Sequence, residues 1–240
     1  MQTTVVWDLP TRLFHWLLAA GVFTAFLIAQ FAGEHSPLFP YHAMLGIVLG
    51  AMVILRIVWG FVGTRYARFA SFLFSPLAVV TYIKGVIRGD GERHVGHNPG
   101  SSYAIFAMLG LVLLIVVTGL LMSSGNEGAE DVHAIAAYGL IAVVCIHVLG
   151  VIVHTVRQHE NITLSMISGT KQTDPDHGIR STAPVAGVLF LLMLLLLAGG
   201  LYRNYDANTR ATKLPLLGTT IQLGEAEDGK SSTSDQGGDD

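Results

Sequence analysis

Charge is scarce in this chain. Asp, Glu, Lys and Arg make up only 13% of 240 residues, about half the share of an ordinary globular protein. Hydrophobic residues reach 51% and mean hydropathy is +0.54. So few charges cannot clothe a soluble surface, which excludes a disordered or collagen-like chain and argues against a soluble enzyme. The net charge of −3 is too small to suggest nucleic-acid binding. Cysteine is almost missing. Cys145 alone excludes a disulfide scaffold, a Cys-x-x-Cys metal site and covalent haem attachment through two thiols. Histidine is plentiful by contrast, with ten copies. The composition is that of a membrane protein, in contact with lipid, with an unusual stock of imidazoles.

Five stretches are long and apolar enough to span a bilayer, at about 20 residues each: 13–32, 42–62, 103–122, 132–156 and 184–202. They lack the alternation of a barrel wall. None contains Asp or Glu. Glycines at 46, 50, 110, 119, 139 and 150 suit close approach of a neighbouring helix or a cofactor. The first stretch is too long for a cleavable signal peptide, and no small-x-small cleavage site follows it.

The distribution of Lys and Arg sets an expected orientation. Arg12, then Arg65, Arg68, Lys84, Arg88 and Arg93, then Arg157, Lys171 and Arg180 all fall on one side. The two short opposite loops hold none and carry Glu34, Glu127, Glu130 and Asp131. The N-terminus is thus expected in the cytoplasm of a bacterial inner membrane and the C-terminus in the periplasm. Arg203, Arg210, Lys213 and Lys230 on the outer tail weaken this bias without reversing it.

The inner connection between the second and third stretches is too long to be structureless. Ser75-Pro76 followed by Leu77–Val86 predicts a short interfacial helix ending in Lys84 and Arg88. Asn98-Pro99-Gly100 is expected to break the chain before the third span. The outer tail, 203–240, should be disordered from about 225, where Gly, Ser and acid dominate. No internal repeat is evident.

Ionisable residues inside membrane segments are costly and mark function. His15 lies near the inner end of the first stretch and His42 at the outer end of the second. The fourth carries His133 near its outer end, then His147 and His154 further in. Fourteen residues separate His133 from His147. That is nearly four turns, so both rings share one face about 21 Å apart. His15 and His147 belong to the inner half, His42 and His133 to the outer edge. Opposed histidine pairs suit haem iron, which needs two axial ligands, better than zinc, which needs four. The economical reading is two non-covalent b-type haems with bis-histidine ligation.

Other readings of single residues remain open here. His42 and His133 could merely be solvated at the headgroups. His154, seven residues beyond His147 on the same stripe, competes with it as the inner ligand. Otherwise it belongs near a haem propionate or a quinone, or is simply a polar residue at a helix end. Arg56, the one arginine inside an apolar stretch, sits at the depth of the inner pair. It either pairs with a propionate or snorkels to the interface. Trp7, Trp16 and Trp59 fit an aromatic belt. His35, His94, His97, His159 and His177 fall in loops or past helix ends, where solvent exposure is expected.

These residues also resemble a family. Val6-Trp7-Asp8, Arg12 and Phe14-His15-Trp16 look like the opening signature of the bacterial cytochrome b561 family, which includes the b-type cytochrome subunits of nickel–iron hydrogenases. The likeness continues through Arg56, Trp59-Gly60-Phe61-Val62-Gly63, Ala67-Arg68-Phe69, Gly96-His97-Asn98-Pro99, His133, His147, Glu160-Asn161 and Gly169-Thr170-Lys171. It covers about residues 5–172. The resemblance implies an all-α, integral membrane four-helix bundle holding two b haems, with electrons exchanged between quinones and periplasmic redox proteins. It also implies the pairs His15–His147 and His42–His133, favouring His147 over His154. A fifth helix at 184–202 is an addition to that four-helix core.

The expected function is transmembrane electron transfer between the quinone pool and a periplasmic partner, a c-type cytochrome or a hydrogenase-like enzyme. The chain would then be an electron-transfer subunit in a respiratory chain. Two rival classes are a proton or divalent-metal transporter relaying through the histidines, and a haem-containing membrane anchor. A transporter would want membrane carboxylates, which the five stretches lack.

Overall fold

The computed structural model describes residues 2–33, 35–89, 92, 94–215 and 217–224. The tail expected to be disordered from about 225 lies outside the described residues, as do Glu34 and Arg93 of the charge argument.

The chain is built on helices: α1 (Leu9–Phe31), α2 (Phe39–Val62), α3 (Pro76–Arg88), α4 (Pro99–Ser123), α5 (Glu130–Gln158), α6 (Ile162–Ser168) and α7 (Pro184–Arg203). Five of them, α1, α2, α4, α5 and α7, are long and apolar enough to cross a membrane. They match the five apolar stretches, but α1, α2 and α4 begin three or four residues early, at 9, 39 and 99 rather than 13, 42 and 103. Hydropathy marks where hydrocarbon begins, whereas caps mark where the helix begins. A proline occupies the first turn of each of these three helices, where its missing N–H costs nothing. The Asp8 side chain accepts from Thr11 N. Asn98 closes a capping box with Ser101. Asn98-Pro99-Gly100 therefore starts α4 rather than standing apart from it.

The short helix expected after Ser75 is α3, capped by the Ser75 hydroxyl and ended by Gly89 in the left-handed region at φ 87°. It leaves Leu77, Val80, Ile83 and Ile87 exposed along one stripe while burying Val86 on the other side. That amphipathic pattern suits a helix lying along a membrane surface.

The helices α1 and α2 pack together, α2 meets α4, and α4 and α5 pack along most of their length. At Gly50 a Cβ would stand 2.9 Å from Val116, so glycine sets the closeness of α2 to α4. The helix α7 lies against α1 and α2, and its Phe190 and Leu194 join Phe14, Leu49, Met52, Val53, Leu109, Val112 and Leu140 in the main core. Phe23, Ile135, Leu149 and Leu196 face outward, as expected where the solvent is lipid.

Two small sheets close the ends. Strand β1 (Gln2–Val5) pairs antiparallel with β2 (Thr170–Thr173), tying the entry to α1 to the segment after α6. On the far side, β3 (Ala211–Lys213) and β4 (Thr220–Gln222) form a hairpin. It seats Leu223 against Met44 and Leu201, and Thr212 Oγ1 donates to the Leu201 carbonyl at 2.8 Å. The outer tail is thus folded at least as far as residue 224.

Candidate functional site

The far side of the bundle, opposite the N-terminus, brings together two of the expected residues. His42 stands in the first turn of α2 and His133 in the first turn of α5. Their ring centroids lie 6.2 Å apart with planes inclined at 64°. The His42 Nδ1–H donates to the Ala25 carbonyl at 2.9 Å. His133 Nδ1 lies 3.1 Å from Thr118 Oγ1. That hydroxyl already donates to Leu114 O at 2.8 Å, so it accepts from His133. Both rings are therefore anchored through Nδ1 and keep the Nε2 lone pair free, the arrangement of imidazoles that ligate a metal. A metal sits about 2 Å from an imidazole nitrogen and the ring centre about 1 Å further on. Two axial rings on one iron thus have centroids about 6 Å apart, close to the spacing observed. Gly46, one turn along from His42, faces open space.

The N-terminal side gathers a second group. His15 of α1 lies within electrostatic reach of His147 of α5, and His15 Nδ1 is buried without a hydrogen-bond partner. Arg56 of α2 is only 4% exposed. It does not snorkel: its guanidinium lies over the rings of Phe14 at 5.9 Å and Phe69 at 5.3 Å, and its Nη1 is buried and unpartnered. Asp8 lies within its electrostatic reach. The Asp8 carboxylate is itself engaged by Thr11 N, Trp59 Nε1 at 2.9 Å and Thr64 Oγ1 at 2.7 Å. Trp59 and Trp7, which donates to Ser165 Oγ, thus do more than line an interface.

His97 corrects the sequence reading. Expected in solvent, its ring is held between Trp7 at 4.7 Å and Phe72 at 4.6 Å, with a buried, unpartnered Nε2. Burial, reinforced by Arg56, His15, His147 and Lys171, pushes its pKa down to about 3. The one signal in sequence was its place beside the Asn98 cap, which fixes the preceding residue against the bundle end.

His154 is placed differently from both pairs. It is buried near the end of α5, with Nδ1 2.8 Å from the Tyr82 hydroxyl of α3 and Nε2 3.6 Å from Glu160 Oε2. Lys171 binds the other Glu160 oxygen at 2.8 Å and donates to His94 O at 3.0 Å. Of the other loop histidines, His35 and His159 are exposed, whereas His94 and His177 are half-buried.

The arrangement offers the groups that would hold a metal-bearing, acid-bearing cofactor. Leaving a buried donor unsatisfied costs about 1–3 kcal/mol, and His15, Arg56 and His97 each present such an atom near one another. Carboxylates on the group would engage Arg56, and imidazoles its metal. The packing leaves room: α1–α2 and α4–α5 are close pairs, while α1 and α5 are joined through long side chains, as in Gln30 Nε2 to Tyr138 Oη at 3.1 Å. Among the described residues no three His, Cys, Asp or Glu side chains cluster to hold an ion, so a bare zinc site fits poorly.

Known sequences agree with this chemistry. A family model described as prokaryotic cytochrome b561 matches residues 6–169. The chain is 25% identical over 215 residues to a probable Ni/Fe-hydrogenase B-type cytochrome subunit of Rhizobium leguminosarum bv. viciae, covering 71% of this chain and 89% of that protein. It is 26% identical to the protein of the same description from Bradyrhizobium diazoefficiens, covering 71% and 86%. Against the probable Ni/Fe-hydrogenase 1 B-type cytochrome subunit of Escherichia coli K12 the values are 25%, 51% and 61%. No solved structure matches the chain. The chain belongs to the prokaryotic cytochrome b561 family, as a multi-pass membrane b-type cytochrome of electron transfer.

Proposed function

We propose that this cytochrome carries electrons across the bacterial inner membrane between two b haems, one at each level. His42 and His133 would ligate the far-side haem; His15 and His147 would ligate the haem on the N-terminal side, with Arg56 holding a propionate. The observation that carries this reading is the far-side pair, whose rings are both anchored through Nδ1 at the spacing an iron requires. The fourteen-residue step from His133 to His147 supports a second level about 21 Å away.

Bound haem supplies a one-electron iron couple at each level. The chain's residues fix the ligands, exclude water and set the charge nearby. The N-terminal side, rich in Lys and Arg, is read as cytoplasmic, where quinone or quinol exchanges electrons with the nearer haem. The far side is read as periplasmic. The names of the relatives favour a hydrogenase-like enzyme as the partner there, ahead of a c-type cytochrome.

Haem stoichiometry tests the reading. Extracted haem should reach two per chain, and His42→Ala should reduce it to one. A wild-type value of one would overturn the far-side assignment. Re-oxidation of the reduced protein by a quinone analogue tests the exchange, and its failure would exclude quinone as the N-terminal-side partner.

A further inference from the structure

Two buried nitrogens with no hydrogen-bond partner among the described residues, His97 Nε2 and Arg56 Nη1, come from separate elements but stand on one aromatic cluster. His97 lies in the turn before α4, beside the Asn98 capping box that fixes the start of that helix. Its ring is wedged between Trp7 at 4.7 Å and Phe72 at 4.6 Å. Both walls are buried, and Trp7 is pinned in turn by its Nε1–H to Ser165 Oγ at 3.2 Å. The imidazole is thus held where its Nε2 meets neither water nor an acceptor. A phenylalanine or leucine would fill an aromatic slot without that penalty. Packing alone does not account for a histidine here.

Arg56 lies over Phe14 at 5.9 Å and Phe69 at 5.3 Å. Phe69 meets Phe72 at 5.8 Å, the same ring that walls His97, and the Arg56 charge reaches His97. Asp8, the carboxylate whose charge reaches Arg56, is turned to Thr11, Trp59 and Thr64 instead. A buried cation without a hydrogen-bonded anion therefore stands near a buried imidazole nitrogen without a partner. One ligand chemistry answers both. A carboxylate has two oxygens, accepts from both donors, and makes charge-assisted bonds to a guanidinium. Burial holds His97 neutral, so it contributes a directed N–H and no second charge. His154 lacks these qualities: Tyr82 engages its Nδ1, and Glu160 faces its Nε2 at 3.6 Å, where a second carboxylate would be repelled. His15 and His147 also lie within electrostatic reach of His97, so the pair stands beside the two histidines read as ligands.

We propose that Arg56 and His97 form one carboxylate receptor, in which a haem propionate accepts from Arg56 Nη1 and from His97 Nε2. This rests on the reading that His15 and His147 ligate a haem on the N-terminal side. Arg56 balances the charge of the carboxylate. His97, fixed by Trp7 and Phe72, sets its direction and is a further cofactor-binding residue beyond the four axial histidines. The carboxylate selects the His97 tautomer with its proton on Nε2.

The test compares haem with its dimethyl ester, which has the same ring and iron but no free carboxylate. The full-length protein is extracted, reloaded in detergent with one or the other, and its transfer to apomyoglobin is followed. The release phase missing from His15→Ala reports the haem on the N-terminal side. In that phase wild type should release the ester about tenfold faster than haem, the effect of losing a hydrogen bond to a charged acceptor. His97→Phe keeps an aromatic ring and removes the donor. It should release haem about tenfold faster than wild type and discriminate less against the ester, whereas His97→Gln, which keeps an N–H, should recover part of the discrimination. The propionate-bending band in resonance Raman should shift in His97→Phe and stay in place in His154→Gln. If wild type holds the ester as firmly as haem, or His97→Phe discriminates as wild type does, the receptor is refuted. If His154→Gln alone abolishes the discrimination, the carboxylate lies at His154 instead. If His15→Ala keeps every release phase, the underlying ligand reading fails. Should His97→Phe take up no haem, wild type decides by nuclear magnetic resonance of the reduced protein with isotope-labelled histidine. The His97 Nε2–H signal, identified by its absence from His97→Gln, should move between haem and ester loading, and an unmoved signal refutes the contact.

Discussion

Asp8 joins α1 to α2, and replacing it should expose how much of the bundle's alignment rests on one carboxylate. The carboxylate is buried and accepts from Thr11 N at 2.9 Å, Trp59 Nε1 at 2.9 Å and Thr64 Oγ1 at 2.7 Å. Asp8→Ala removes the N-cap, worth about 1 kcal/mol. It also leaves the indole N–H without its charged acceptor, at about 1.5–3 kcal/mol. Thr64 is only half-buried, so water can replace its acceptor and adds about 0.5 kcal/mol. The total is about 3–4.5 kcal/mol, a large share of the roughly 5–15 kcal/mol that stabilises a typical domain. Asp8→Asn should cost less, about 1–3 kcal/mol, because the amide oxygen still caps α1 and Thr64 can turn to accept from the amide nitrogen, whereas the indole has nothing left to donate to. Reversible unfolding in mixed detergent micelles, followed by far-ultraviolet circular dichroism, measures both. A cycle with Trp59→Phe isolates the indole bond, whose loss should render the Asn substitution nearly neutral. A cost below about 1 kcal/mol for Asp8→Ala would refute the claim that this carboxylate fixes α1 against α2.

Three further outcomes follow from the same geometry. On the proposed two-haem reading, His147→Ala should lose one haem while His154→Ala keeps both by pyridine haemochrome assay, because His154 Nδ1 is bonded to Tyr82 and its Nε2 faces Glu160 at 3.6 Å; the reverse result would exchange their roles. Arg56→Met should speed haem loss to apomyoglobin and lower the midpoint potential of the haem affected, since a buried positive charge favours the reduced state; unchanged values would remove Arg56 from the site. For Glu160, His154 and Lys171 hold the carboxyl at about 2 against an ordinary 4.5. A depressed carboxylate stabilises the fold above its unfolded value, so this contribution is complete above about pH 4.5 and is lost as pH falls towards 2. The full gap corresponds to about 3 kcal/mol, and solvent screening of a partly exposed side chain reduces it to about 1–2 kcal/mol. Glu160→Gln should lose that much at neutral pH and flatten the acid limb of a thermal-stability profile; an unchanged limb would refute the pairing.

The membrane helices were legible because twenty apolar residues in a row have few other fates, and α3 was legible from Ser75-Pro76 and its basic end. The histidine spacing on α5 was legible too, since a helix fixes where residues fourteen apart must point. The missed features depend on contacts distant in sequence. Strand β1 finds its partner 171 residues away across Gln2 and Thr173. Nothing in a four-residue segment announces such a pairing. The hairpin strands β3 and β4 have three residues each, too short for alternation to register. His97 was misplaced because a loop position says only that the backbone leaves a helix. Its burial depends on Trp7 and Phe72 arriving from elsewhere.

The fifth spanning helix, which the resemblance to a four-helix family left unexplained, has a physical role in this packing. The two close pairs are unequal: α4 and α5 lie together along most of their length, whereas α1 and α2 share a shorter contact and face open space beside Gly46. The halves meet closely where α2 passes α4 at Gly50 and Val116, whereas α1 meets α5 through long side chains such as Gln30 on Tyr138, so the α1–α2 half needs added rigidity. The helix α7 supplies this to the weaker half. Gly187 lets it approach α1 so closely that a Cβ there would stand 2.7 Å from Leu9, and Phe190 and Leu194 fill the groove between α1 and α2. Its far end is held in turn by the hairpin, through Pro215 against Gly200 and Thr212 on the Leu201 carbonyl. The same hairpin packs Leu223 on Met44, two residues from His42. The addition to the four-helix core thus braces α1 and α2, the helices that carry His15 and His42.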